Sequence, residues 1–233
     1  MMSERIIHRA CALARRYHWP LVLIVLALCA LAIDLPAARY CHAHPTLGTN
    51  QVPKEIRKLL ALAEVFAHGL GATAILVTVL VLDQRRRGEW PRLVAASLGA
   101  GIAADLVKWL LIARYRPSAA NLEGSVSETF ITLLPLWSEF FDSRDFRSSF
   151  QSCPSAHSAV AAGLAMTLAA RYPSGRWWFA ILAALAMLQR IDVGAHFPSD
   201  TLFGAALGSA IAIALRPRTS AVAVPELPHD GSK

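Results

Sequence analysis

Six apolar blocks run through residues 19–215, and they constrain this chain more than any other feature. They lie at about 19–35, 59–82, 93–113, 155–171, 177–190 and 201–215, with polar residues between them. A helix that crosses the hydrocarbon core of a bilayer takes about 20 residues. Most blocks approach or exceed that length; the fifth is short unless its polar end lies in a protein-lined cavity. Ala, Leu and Val fill the blocks with little alternation, which predicts helices rather than a barrel. Hydrophobic residues make up 55% of the chain and charged ones only 17%, unlike a soluble domain. The expected fold is all-α: an integral membrane bundle of six transmembrane helices, forming one domain over 19–216. Residues 1–18 precede it, and 217–233 follow as an unstructured tail.

Orientation follows from Lys and Arg. Arg5, Arg9, Arg15 and Arg16 precede the first block, and Arg85, Arg86, Arg87 and Arg92 crowd the short "DQRRRGEWPR" loop. Both segments and the tail are therefore expected on the cytoplasmic side of the cell (inner) membrane, with the long loops 36–57 and 118–153 outside. The first block also has the layout of a signal peptide, but Asp34, Leu35 and Pro36 make a poor cleavage neighbourhood, so it reads as a retained span. The net charge of +7 reflects this topology and carries no nucleic-acid footprint. Within 118–153, "ETFITLLPLWSEFFDSRDF" is too short in apolar residues to span, and its Trp and Phe suit an interfacial cap beside a site. Cys11, Cys29, Cys41 and Cys153 show no metal-ligand or redox spacing. Cys41 and Cys153 share the outer side, which leaves a disulfide between them open.

Three polar clusters fall at that same outer face. "KWLLIARYRP" holds Lys108, Arg114, Arg116 and Pro117; "CPSAHS" holds Pro154, Ser155, Ala156 and His157; "QRIDVGAHFPSD" holds Arg190, His196 and Asp200. Together they suit phosphoryl transfer. Lys108, Arg116 and Arg190 supply three cations for one phosphoryl group. "PSAH" reads as a helix start whose Ser155 and Ala156 N–H groups face an anion. His196, four residues before Asp200, is placed for the carboxylate to fix its tautomer and leave one nitrogen nucleophilic. His157 is placed to protonate the leaving oxygen. No carboxylate cluster for Mg²⁺ is evident, so protein cations must stabilise the charge, with no metal and no cofactor. Elsewhere Asp105 stands one turn before Lys108 as a pairing partner, and Glu64 and His68 share a face of the second block, as a headgroup entrance or a buried hydrogen bond. Gly204 and Gly208 read as tight helix packing.

These residues resemble the type 2 phosphatidic acid phosphatase superfamily, which shares its active site with vanadium-dependent haloperoxidases. The family signature is Lys-x6-Arg-Pro, then Pro-Ser-Gly-His, then Ser-Arg-x5-His-x3-Asp. The third motif matches at Arg190, His196 and Asp200, with Gln189 where Ser is usual; the second has Ala156 for Gly. The first is one residue longer between Lys108 and Arg116. On an ideal helix that extra residue rotates Arg116 by about 80° away from alignment. Pro117 disfavours helix at Arg116, so a loop can absorb it. The resemblance implies that His196 becomes phosphohistidine, oriented by Asp200, and that His157 is general acid and later activates water. It also implies that Lys108, Arg116, Ser155, Ala156 and Arg190 hold the phosphoryl group without a metal. The expected activity is hydrolysis of a lipid phosphate or diphosphate monoester, its site facing the extracytoplasmic side. Isoprenyl diphosphate, phosphatidate, phosphatidylglycerophosphate and lipid A phosphates are the candidate substrates. A lipid phosphotransferase using the same phosphohistidine, and a catalytically silent lipid-phosphate-binding membrane protein, are the rival readings. The partners expected are the substrate and membrane lipids, with no nucleic acid.

Overall fold

The computed structural model describes residues 16–44, 53–134 and 148–216. The expectations for residues 1–15, most of the apolar stretch in 118–153, and the tail 217–233 lie outside those residues. The first block becomes α1 (His18–Ala30) and α2 (Asp34–Ala43), joined by a 3-10 turn at Leu31–Ile33. Helix thus continues past the expected end at 35, into the loop assigned to 36–57. The second block is α3 (Lys54–Ala63), continued by a 3-10 turn at Glu64–Phe66, and α4 (Gly69–Leu82), with a bend of 69° at the break between Phe66 and Gly69. Helix α5 (Trp90–Leu110) is the third block, α6 (Ala156–Arg171) the fourth, α7 (Arg176–Asp192) the fifth and α8 (Pro198–Ala214) the sixth. By length and composition His18–Ala43 and Gln84–Leu110 are able to cross a membrane, and the bent pair adds a third candidate if it is one span.

The outer surface is built as a membrane helix bundle is. On α1 the buried residues are Pro20, Ala27 and Ala30, while Leu21, Val25, Leu26 and Leu28 face outward. Small residues inside and large apolar ones outside reverse the soluble pattern, because lipid tails leave no hydrophobic gain from burying Leu and close approach must supply the attraction. Glycines set that approach. A Cβ on Gly163 would lie 1.9 Å from the Ala96 carbonyl oxygen, one on Gly204 2.2 Å from that of Ser155, and one on Gly208 2.1 Å from that of Ala159. Helix α6 is therefore clamped between α5 and α8, backbone against backbone.

One feature modifies the all-α expectation. After α5 the chain extends as β1 (Ile112–Arg114) and pairs antiparallel with β2 (Phe130–Leu133), with a bulge beside Arg114. Ile, Phe and Thr favour this pleated ribbon, and Pro117 disfavours helix at Arg116 just after β1. Cys41 and Cys153 are both free thiols, so the disulfide left open above is not formed.

Candidate active site

Helices α5 and α7 end where α6 and α8 begin, and the break before α4 lies at that same end. Lys108 is buried in the last turn of α5, its Nζ 2.9 Å from Asp105 Oδ1, the pairing expected from the sequence. Because α5 stops at Leu110, the eight-residue step to Arg116 is not helical and the expected rotation does not arise. The Arg116 backbone N–H donates to the Ser149 carbonyl at 2.8 Å. Arg190 ends α7, with Nη1 2.7 Å from Glu64 Oε1. The Nε atoms of Arg116 and Arg190 are both buried with no hydrogen-bond partner among the described residues. Burial, and then the like charge of Arg190, push the Arg116 guanidinium below its ordinary value. Two mutually repelling guanidiniums with unused donors make a site for an anion.

His196 lies in the turn between α7 and α8 and is 2% exposed. Its Nδ1 is 2.7 Å from the Ser152 carbonyl oxygen. A carbonyl only accepts, so Nδ1 carries the hydrogen and Nε2 keeps a lone pair. Burial, then the positive charges of Lys108, Arg116 and Arg190, hold the imidazole well below its ordinary value, so it is neutral at neutral pH. The expectation that Asp200 takes the ring nitrogen directly is corrected here. Asp200 Oδ2 accepts from the Ser152 hydroxyl at 2.6 Å and from the Phe197 N–H at 2.9 Å. The carboxylate thus acts on His196 through Ser152 and through the backbone beside the ring.

The other Asp200 oxygen leads to residues the sequence reading gave no role. Arg114 is fully buried, with Nη1 2.6 Å from Asp200 Oδ1 and 2.8 Å from Ser199 Oγ, and Nη2 2.7 Å from Asp34 Oδ2. Its Nε donates to Thr129 Oγ1 at 3.0 Å, and its guanidinium lies 4.4 Å from the Phe130 ring centre and 4.3 Å from that of Phe197. Asp34 Oδ1 also accepts the Ser199 N–H at 3.0 Å. The first block is therefore tied to the start of α8 and to the turn that carries His196. A signal existed: an ionisable residue inside an apolar block, as Asp34 is, marks function or a buried partner. Ser152 offered none.

At the start of α6 Ser155 is the N-cap, its hydroxyl accepting from the Ser158 N–H at 3.3 Å. Its own N–H donates to the Asp200 carbonyl at 3.0 Å, so it is not free for an anion as expected. The first-turn donors left over are those of Ala156 and His157, where the helix N-terminus favours negative charge. His157 Nε2 is 4.0 Å from Glu64 Oε1, and the His68 and His157 ring centres are 5.8 Å apart. Glu64 Oε2 accepts from Gln189 Nε2 at 3.1 Å. Glu64 is thus hydrogen-bonded but partly exposed rather than buried, and it lines an open pocket with His68, which caps α4 by accepting from the Leu70 N–H.

The sequence model of a family described as the PAP2 superfamily matches residues 89–221. A Rhizobium johnstonii protein called lipid A 1-phosphatase is 27% identical over 181 residues, 70% of this chain and 68% of that one. No solved structure matches the chain.

Proposed function

The chain belongs to the PAP2 superfamily and is a phosphoric monoester hydrolase of the membrane; from that footing we propose that it cleaves a lipid phosphate through a phosphohistidine on His196. One observation carries the proposal. The His196 Nδ1 is occupied by a carbonyl while Lys108, Arg116 and Arg190 all act on the ring, so a neutral nucleophile stands inside an anion site.

Nε2 of His196 attacks phosphorus as the ester P–O bond breaks, and His157 gives its proton to the departing oxygen. The neutral His157 then takes a proton from water, whose oxygen attacks phosphorus and breaks the P–N bond. Lys108, Arg116 and Arg190, with the Ala156 and His157 N–H groups, offset the charge on the three phosphoryl oxygens. Protein cations carry this load in the reading, with no metal step. Asp200 is a positioning residue, and Ser155 fixes the helix start that presents the N–H groups.

The chain direction supports six spans. Helices α1, α5 and α7 run toward the site, whereas α4, α6 and α8 run away from it, so one domain over 19–216 crosses and recrosses the same thickness. At about 1.5 Å per residue, α7 and α8 are about 25 Å long. With the arginines of residues 85–92 inside, the site faces the extracytoplasmic side of the inner membrane. The name of the Rhizobium johnstonii relative puts lipid A 1-phosphate first among substrates to try. The test is phosphate release in detergent from lipid A, phosphatidate and an isoprenyl diphosphate, comparing wild type with His196→Ala. Release from at least one lipid by wild type, and none from the folded variant, is expected; unchanged turnover in the variant overturns the mechanism.

A further inference from the structure

A cavity of about 650 Å³ lies at the other end of the bundle from His196. Its walls are the start of α5 (Arg92, Leu93, Ala96) and the ends of α6 (Met166, Arg171) and α8 (Ala212). Each of these helices has its opposite end at the catalytic centre. The phosphatase reading therefore gives this cavity no task.

Its lining is divided in character. The apolar part comes from Leu93, Ala96, Met166 and Ala212, and the charged part from Arg86, Arg92, Arg171, Arg216 and Glu89. Arg171 is already neutralised: it lies 2.9 Å from Asp83 and 2.9 Å from Glu89, and the Tyr172 hydroxyl joins the cluster. That cluster fixes one wall and uses up the acidic group of the lining. Arg92 and Arg216 have no side-chain partner among the described residues, and Arg86 makes only a 3.5 Å contact with the Arg171 carbonyl. The unspent charge at the rim is positive.

The level of the cavity along the bundle is marked independently. Trp19 stands at the start of α1, Trp90 at the start of α5, and Trp177 and Trp178 at the start of α7, all at this end. Trp177 and Trp178 are 70% and 60% exposed. Exposed Trp gathers at the headgroup level of a bilayer. The arginines are thus at the depth of lipid phosphates, and the Leu, Ala and Met wall is at the depth of the first acyl carbons. A volume of about 650 Å³ is in the range of small-ligand sites.

We propose that this cavity binds one anionic phospholipid of the leaflet opposite the catalytic site, its phosphate held by Arg92 and Arg216 and its upper acyl chains against Leu93, Ala96 and Met166. Basic pockets between membrane helices recognise such headgroups by charge, with chain burial adding affinity. A phosphodiester lipid fits this site and is not a substrate for a monoesterase, so structural binding and turnover are separable.

The experiment uses the full chain in a neutral detergent, titrated with phosphatidylglycerol, phosphatidylcholine or inorganic phosphate, with the unfolding midpoint as readout. Phosphatidylglycerol raises the midpoint saturably; the other two leave it unchanged. In the Arg92→Gln/Arg216→Gln double variant the half-saturating phosphatidylglycerol concentration rises by about tenfold or more, the loss expected for one charge-assisted contact. Phosphate release from the lipid phosphate substrate, with no phosphatidylglycerol added, stays at the wild-type rate. An equal shift with phosphatidylcholine, or a wild-type response from the double variant, overturns the proposal. A full shift with inorganic phosphate alone also overturns it, as a free-anion site. Should the double variant misfold, Arg216→Gln alone gives the same comparison, since Arg216 follows α8 and is exposed.

Discussion

Replacing Arg114 tests how the turn that carries His196 is held. In Arg114→Gln the two ion pairs, at 2.7 Å to Asp34 and 2.6 Å to Asp200, are both lost. All three side chains are 0% exposed, so water cannot take over. Breaking a buried pair costs about 3–5 kcal/mol, mostly from the charge left uncompensated. Here two carboxylates remain around a neutral amide. For a chain of this size each kcal/mol moves the midpoint by about 2–4 °C, so a fall of about 6–20 °C is expected. Adding Asp34→Asn removes one stranded charge. The double variant should therefore be more stable than Arg114→Gln, with a coupling of about 2 kcal/mol. Both are read as unfolding midpoints in detergent, at fixed protein and lipid concentration. A loss of under about 1 kcal/mol, or two substitutions that add without coupling, would refute the account of Arg114 as the counter-charge of this cluster.

The remaining predictions concern the reaction and its pH dependence. Glu64→Gln weakens the hold on Arg190 for any substrate, but it should slow hydrolysis of an alkyl phosphate more than that of p-nitrophenyl phosphate, whose leaving group needs no proton; equal slowing of both would remove Glu64 from the support of His157. His196, held below its ordinary value, stays neutral where an unfolded chain takes up a proton. Its contribution to stability is therefore complete above about pH 6.5 and declines below it. The midpoint should fall more steeply from pH 6.5 to 5 in wild type than in His196→Asn, and parallel curves would contradict this. Excess EDTA should leave phosphate release intact; full loss restored by Mg²⁺ would contradict the assignment of charge stabilisation to Lys108, Arg116 and Arg190.

The helices were legible because lipid-facing segments advertise themselves in composition, and the last three blocks reappear as α6–α8 within a few residues. The strand pair was not, since it depends on Phe130 and Thr132 meeting a segment fifteen or more residues earlier in the chain. At the site the motifs located groups that gather at one end of the bundle, because the phosphoryl transfer proposed here needs particular residue types at particular helix ends. What aims those groups was hidden. Asp200 reaches His196 through the Ser152 side chain and carbonyl, and a hydroxyl and a backbone carbonyl 44 residues away leave no periodic trace.

Gln189 shows how a departure from the pattern and a residue without a motif explain each other. Where the family signature has Ser, this chain has a longer amide, and that amide reaches Glu64 Oε2 at 3.1 Å while Arg190 takes Oε1 at 2.7 Å. A serine side chain is about two bonds shorter and would leave the second carboxylate oxygen, 34% exposed as a side chain, to water. The amide fixes both oxygens, and with them the 4.0 Å approach to His157. Because the fork-shaped guanidinium has donors on several edges, Glu64 occupies Nη1 of Arg190 and leaves the buried Nε unmatched. The carboxylate therefore orients the cation without filling its whole donor set, as the proposed role of Arg190 in holding a phosphoryl group requires.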